Sequence, residues 1–205
     1  MTWAFDHEEM LGVHRKGLDQ PCTGTYHPTS RWYPGSGNAV GVKIEPIKQN
    51  LEKAKQLLDE AGWVDTDGDG YRDKEINGKK RKFEFTIIVR NAKERIDLCE
   101  LLAQNLRLVG VACNVKPLES ATLQDKLFNK QFAAAFGGWG TGADPDTSEN
   151  IWGSGQQRNF VDYKNPLVDE LFEEGRKLPE DRKSWKDLKL WKNPEVLAYL
   201  QLDPG

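Results

Sequence analysis

Phe83-Glu84-Phe85-Thr86-Ile87-Ile88-Val89-Arg90 decides the fold. Phe83, Phe85, Ile87 and Val89 alternate with Glu84, Thr86 and Ile88, a two-residue period rich in aromatic and β-branched side chains that predicts a strand. On its C-terminal side the period changes. Ile96, Cys99, Leu102, Leu106 and Val109 recur at intervals of three and four and stop at Gly110, which predicts a helix. Val111, Cys113 and Val115 alternate again, Leu123, Leu127 and Phe128 suit a short helix, and Phe132 to Phe136 is a short apolar run. The order is β-α-β-α-β. Helices between strands imply parallel crossovers, because an antiparallel hairpin needs only a few linking residues, and crossovers lay their helices on the sheet. The expected fold class is therefore α/β, a layered βαβαβ unit with helices packed on a mainly parallel or mixed sheet.

Upstream, Leu51, Ala54, Leu57, Leu58 and Ala61 form one helical stripe that ends at Gly62. Asp6 followed by Glu9 has the spacing of a capped helix start, so residues 6 to 16 are expected to be helical, with Gly17 closing them. From Pro21 to Pro46 the chain turns to Pro, Gly, Ser, Thr and aromatics, which reads as a long ordered loop whose Tyr26, Trp32 and Tyr33 pack on the body. Downstream, Asn165-Pro166 opens a helix carrying Val168, Leu171 and Phe172.

The 205 residues suit one domain, or one domain with appendages. Acidic residues number 32 against 29 basic ones, so no surface-wide positive field attracts nucleic acid, and nucleic acid is not an expected partner. No apolar run approaches the roughly 20 residues needed to span a bilayer. Met1 to Asp6 lacks the basic start and apolar stretch of a secretory signal. Of three cysteines, Cys99 and Cys113 read as buried free thiols, and Cys22 lacks the surroundings of an activated one.

Asp65-Thr66-Asp67-Gly68-Asp69-Gly70-Tyr71-Arg72-Asp73 is the sharpest local motif. Carboxylates at positions one, three, five and nine, glycine at six and the Tyr71 carbonyl at seven match most of a calcium loop, which makes Asp65, Asp67, Asp69, Tyr71 and Asp73 candidate metal ligands. Position twelve breaks the pattern. It is Ile76, not a bidentate Glu, so two readings stand: a structural calcium, or an acidic turn held by its own side chains with no cofactor required. The run Lys79-Lys80-Arg81-Lys82 reads as a solvated turn leading into the next strand and guarding its edge.

The last predicted strand empties into Gly137-Gly138-Trp139-Gly140-Thr141-Gly142-Ala143-Asp144-Pro145-Asp146. In open α/β sheets ligands gather where loops leave the carboxyl ends of strands. Trp139, Gly140, Thr141 and Asp144 are the candidate ligand-binding residues: small residues permit close approach, the indole offers a broad apolar face, and an acid, Asp144 or Asp146, accepts from an amine. Neither this loop nor Gly35 to Gly41 has the spacing of a phosphate cradle. His7 and His14 are seven apart where a helical zinc motif needs four, and no serine or carboxylate pair is set out for catalysis. An enzyme is not expected.

The helix Asn50 to Trp63 with the acidic loop behind it, the strand to Arg90, the helix end Leu101 to Gly110, the Phe132 to Trp139 segment and the Asp144-Pro145-Asp146 turn occur in an order that resembles bacterial extracellular solute-binding proteins of the oligopeptide/dipeptide/nickel class. The resemblance covers about residues 3 to 182. It implies a periplasmic-binding-protein-like lobe over 1–182, an atypical tail over 183–205, and an extracytoplasmic, periplasmic setting for the parent. It also implies partners: a peptide or similar small solute, a first lobe not contained in this chain, and an ABC permease in the membrane. In the family a tryptophan-bearing loop and a following acid meet the ligand, often at its amino group; these map to Trp139 and Asp144. The acid that peptide binders place earlier in the loop is replaced here by Gly142 or Ala143. The alternative is a calcium-dependent protein-interaction module organised by the acidic loop. A small α/β enzyme using the Trp139 loop is the remaining rival.

Overall fold

The computed structural model describes residues 1–21, 29, 46–140, 142 and 144–177. Cys22, the aromatics Tyr26, Trp32 and Tyr33, the Gly35 to Gly41 stretch, Thr141, Ala143 and the 183–205 tail lie outside the described residues. The chain divides into two compact units, one of Met1–Pro21 with Ile47–Gly138 and one of Cys22–Pro46 with Trp139–Gly205.

The first unit begins with a 3-10 turn, Thr2–Ala4, and helix α1, His7–Glu9, which runs on as a π-helix over Met10–His14. Asp6 caps it as its spacing predicts, accepting the Glu9 N–H at 2.8 Å. Helix α2, Leu51–Glu60, starts where Asn50 accepts the Lys53 N–H at 2.8 Å. Strands β1, Asp73–Ile76, and β2, Lys79–Lys82, pair antiparallel. Then come β3, Glu84–Arg90, α3, Lys93–Arg107, β4, Ala112–Leu118, α4, Ser120–Phe128, and β5, Ala134–Phe136. Strand order is β4-β3-β5 with both pairings parallel, and the register sets Ile87 beside Val115 and Ala134. This is the expected βαβαβ unit.

Ile87, Ile88 and Val89 are all buried because β3 is the central strand. Ile87 and Val89 pack with Cys99 of α3, joined by Ile96, Val115, Ala134 and Phe136. Ile88 points to the opposite face, and right-handed crossovers put α4 and α3 on opposite faces of a sheet in this order. A second cluster joins Ala4, Ala54, Leu106, Val109 and Val111, so the chain start, α2 and the end of α3 share one core. Polar bonds fix the chain start there: the Asp6 N–H donates to Asn105 Oδ1 at 2.7 Å, and the Asn50 N–H to the Trp3 carbonyl at 2.7 Å.

The basic run departs from expectation. Lys79–Lys82 is not a turn but strand β2, and the reversal lies at Asn77-Gly78, whose φ values of 53° and 70° are those of a mirror-image hairpin turn. Arg72 locks this hairpin to the body. Its Nε donates to the Val109 carbonyl at 2.8 Å, its guanidinium also bonds the Trp63 carbonyl and Asp59, and its own N–H donates to the Gly110 carbonyl. Gly110, at φ 78°, lies so close that an added Cβ would stand 3.0 Å from the Arg72 side chain.

The described part of the second unit carries a 3-10 turn, Pro145–Ser148, helix α5, Glu149–Trp152, and helix α6, Pro166–Lys177. Asn165 starts α6 as predicted, its Oδ1 accepting the Leu167 N–H at 3.0 Å. Among the described residues no helix is long and apolar enough to cross a membrane.

Leu106 is fully buried and Leu108 is 58% exposed one half-turn on. Leu106→Ala is expected to lower the unfolding free energy by about 2–5 kcal/mol and Leu108→Ala by no more than about 0.5 kcal/mol, both read from urea denaturation.

Candidate functional site

The loop that follows β5 begins the second unit. Its Trp139 is 44% exposed and contacts two side chains from the irregular stretch after α5: Phe160, with ring centroids 5.4 Å apart, and Arg158, whose Cζ lies 5.8 Å from the indole centroid. Those two residues flank Asn159, which is 2% exposed. Asn159 donates to the Gly153 and Tyr163 carbonyls at 2.9 and 2.7 Å and accepts the Tyr163 N–H at 2.9 Å. A buried amide satisfied on both ends holds its segment in one shape, so Asn159 sets where Arg158 and Phe160 stand.

Of the other expected ligand residues, Gly140 is exposed, with no atom of the described residues within 4 Å of the position of a Cβ, and Thr141 lies outside the described residues. Asp144 is exposed but engaged: its Oδ1 accepts the Asp146 N–H at 2.9 Å, and its carbonyl accepts the Thr147 hydroxyl at 2.8 Å. Gly142 is confined, since a Cβ there would stand 2.8 Å from Thr147. Asp146 is drawn away from the loop by Arg176 of α6, whose Nε donates to it at 2.7 Å while the same guanidinium bonds Glu149 and Glu173. Arg158, Asn159, Phe160 and Arg176 were not legible as site residues, being separated from Trp139 by turns without a periodic pattern.

In the first unit the acidic loop folds back on β2. Oxygens of Asp65, Asp67 and Asp73 come within 4.8 Å of one another, while Asp69 turns to Lys82. Lys80 Nζ lies 2.6 Å from Asp67 and 3.2 Å from Asp73, and Lys82 Nζ stands 4.6 Å from the centre of the Tyr71 ring. Backbone amides complete the turn: Gly68 and Gly70 donate to Asp65, and Tyr71 to Asp69. Ile76, at the twelfth position, is part of β1. Three of the expected metal ligands are thus together, with a lysine ammonium already against two of them.

These contacts shift the titrations. The bond from Lys82, with the Tyr71 N–H, holds Asp69 below its ordinary 3.8. Burial pushes Asp73 upward, but the Thr66 hydroxyl and N–H and Lys80 outweigh it, and Asp73 too lies below 3.8. Asp67 raises Lys80, and Asp69 raises Lys82, above 10.5. Elsewhere, burial pushes the Cys99 thiol up to about 12 and raises Cys113, which makes both poor nucleophiles.

Residues 1–160 match the model of bacterial extracellular solute-binding proteins, family 5, middle part. The oligopeptide-binding protein AppA of Bacillus subtilis is 31% identical over 191 residues, covering 90% of this chain and 33% of AppA. Its structure in complex with a nonapeptide superposes with a TM-score of 0.77 at 28% identity, over 98% of this chain and 37% of that one. The nickel-binding periplasmic protein of Escherichia coli is 25% identical over 135 residues, 65% of this chain and 25% of the relative. The chain spans a third or less of the length of the curated relatives it matches.

Depressed carboxyls contribute stability that is present above the ordinary 3.8 and is lost as pH falls through their folded values; the raised lysines contribute stability that is lost only as pH rises through theirs, above 10.5. Carbon-detected NMR titration is expected to give Asp69 and Asp73 midpoints below 3.8, and Lys82→Ala to move the Asp69 midpoint upward while leaving Asp73 nearly in place.

Proposed function

The chain belongs to the bacterial extracellular solute-binding proteins, family 5, and from that premise we propose that it is a ligand-binding lobe of a peptide-class binding protein, contributing half of a cleft for uptake through an ABC permease. The observation that carries this reading is the exposed Trp139, held with Phe160 and Arg158 on the loop that follows the last parallel strand. A broad indole face flanked by a ring and a guanidinium accommodates the apolar and planar parts of a peptide without demanding one side chain. The identity to AppA, an oligopeptide-binding protein, supports a peptide or similar small solute over other cargoes. The setting of such a protein is extracytoplasmic, and its chemistry is capture without turnover.

Capture by closure explains why half a cleft is useful. A ligand that touches two lobes together favours the closed arrangement by its differential affinity for it, and a permease can distinguish the closed, loaded form from the open one. The other half of such a cleft would come from a first lobe. One lobe alone makes only part of the contacts and cannot exclude water from the rest of the ligand.

The acidic loop serves the fold in this reading. Lys80 and Lys82 supply the positive charge that a metal would supply, Ile76 replaces the strongest ligand of a calcium loop, and no cofactor is required. Calorimetric melting with calcium or with a chelator is expected to give the same midpoint; a rise of several degrees with millimolar calcium would restore the metal-bound loop.

Isothermal titration of the 205-residue chain with short peptides is expected to show no micromolar complex. In a two-lobed protein that contains this chain, Trp139→Ala is expected to weaken peptide binding by roughly tenfold or more; unchanged affinity would remove the loop from the cleft.

A further inference from the structure

The Trp139 face carries an uncommitted positive charge. Among the described residues no carboxylate pairs with Arg158, whose exposed guanidinium stands over the indole, 5.8 Å from its centroid. A guanidinium held by a ring face keeps its N–H donors, so it remains able to bind a carboxylate through two parallel bonds. Five acids of the same unit have other partners. Asp146, Glu149 and Glu173 bond Arg176, Asp162 pairs with Lys164 at 3.2 Å, and Asp169 accepts the Ser154 N–H at 2.8 Å. Asp144, the loop's own acid, accepts a backbone N–H, and Gly142 has no room for a side chain unless Thr147 moves. Arg158 itself is placed by its backbone, which donates to the Asn150 carbonyl at 3.2 Å and side chain at 3.3 Å, and by the buried Asn159 beside it.

We propose that Arg158 makes the Trp139 face selective for a ligand carboxylate next to a planar or apolar group, so that a peptide meets this loop with its C-terminal or side-chain carboxylate and not with its amine. This rests on the Trp139 loop being a ligand surface, and it assigns that surface a charge preference. The ligand's apolar part covers the indole while its carboxylate takes the Arg158 donors, two contacts that only a ligand carrying both groups can make together.

The test is NMR on the nitrogen-15-labelled chain, following the Trp139 indole N–H, assigned with Trp139→Phe, and the Arg158 Nε–H. Three probes are titrated: N-acetyl-phenylalanine, which has a carboxylate and no amine; its neutral amide; and phenylalanine amide, which has an amine and no carboxylate. The carboxylate probe is expected to shift both signals at concentrations roughly threefold to tenfold lower than the neutral amide, and Arg158→Gln to erase that difference while the neutral probe still moves Trp139. Arg158→Lys, which keeps the charge but not the planar fork, should retain part of the preference. An equal or stronger response to phenylalanine amide, or a carboxylate preference that survives Arg158→Gln, would overturn the assignment. Equal responses to all three probes leave the loop a ligand surface and sink only the charge preference, whereas no Trp139 response to any probe sinks both.

Discussion

Burial of β3 on both faces is the constraint from which the first unit follows. Ile87, Ile88 and Val89 are consecutive and all excluded from water, which requires that both faces of the strand be covered, and β3 has a paired strand on each edge. Shifting the pairing by one residue would exchange the two faces of β3, so the pairing of Ile87 with Ala134 and of Val89 with Phe136 is strongly specified. That register fixes where β5 ends. Gly137 and Gly138 follow it, and the chain passes into the second unit at Trp139.

Charge is handled differently in the two units. Around the acidic turn the positive charge comes from within: Lys80 and Lys82 of β2 cross to Asp67, Asp73 and Asp69, and Arg72 ties the same hairpin to the ends of α2 and α3. The result is a turn whose electrostatics are closed locally. In the second unit Asp146, Glu149 and Glu173 are gathered onto Arg176, and among the described residues Arg158, over the Trp139 indole, has no carboxylate partner.

The parts of the fold that follow from periodicity were legible in the residues. Phe83 to Arg90, the stripe from Ile96 to Val109 and the cap at Asp6 each carry their own structural period or spacing; β3 and α3 stand where those patterns put them, while the helix capped by Asp6 is α only over His7–Glu9 and runs on as a π-helix to His14, short of the expected residue 16. The β1–β2 hairpin was not read, because its strands are charged and show no apolar alternation; Asn77-Gly78 was the one available sign, and the Lys79 to Lys82 run masked it. The acidic turn was legible as a cluster of carboxylates but not as a set of ion pairs, since its lysines arrive from thirteen residues away. The neighbours of Trp139 were hidden for a similar reason: Arg158 and Phe160 reach it through turns anchored by Asn159, and one buried asparagine looks like any other until its partners are in view.

A lobe that gains ligand contacts at Trp139 only when a second lobe closes over it should become protected there on loading. Hydrogen–deuterium exchange of a two-lobed protein containing this chain, with and without bound peptide, tests this most directly. Slowed exchange confined largely to residues 139–144 and 158–160 is the result the account predicts. Exchange in those residues unchanged by saturating peptide, with protection appearing elsewhere, would contradict it.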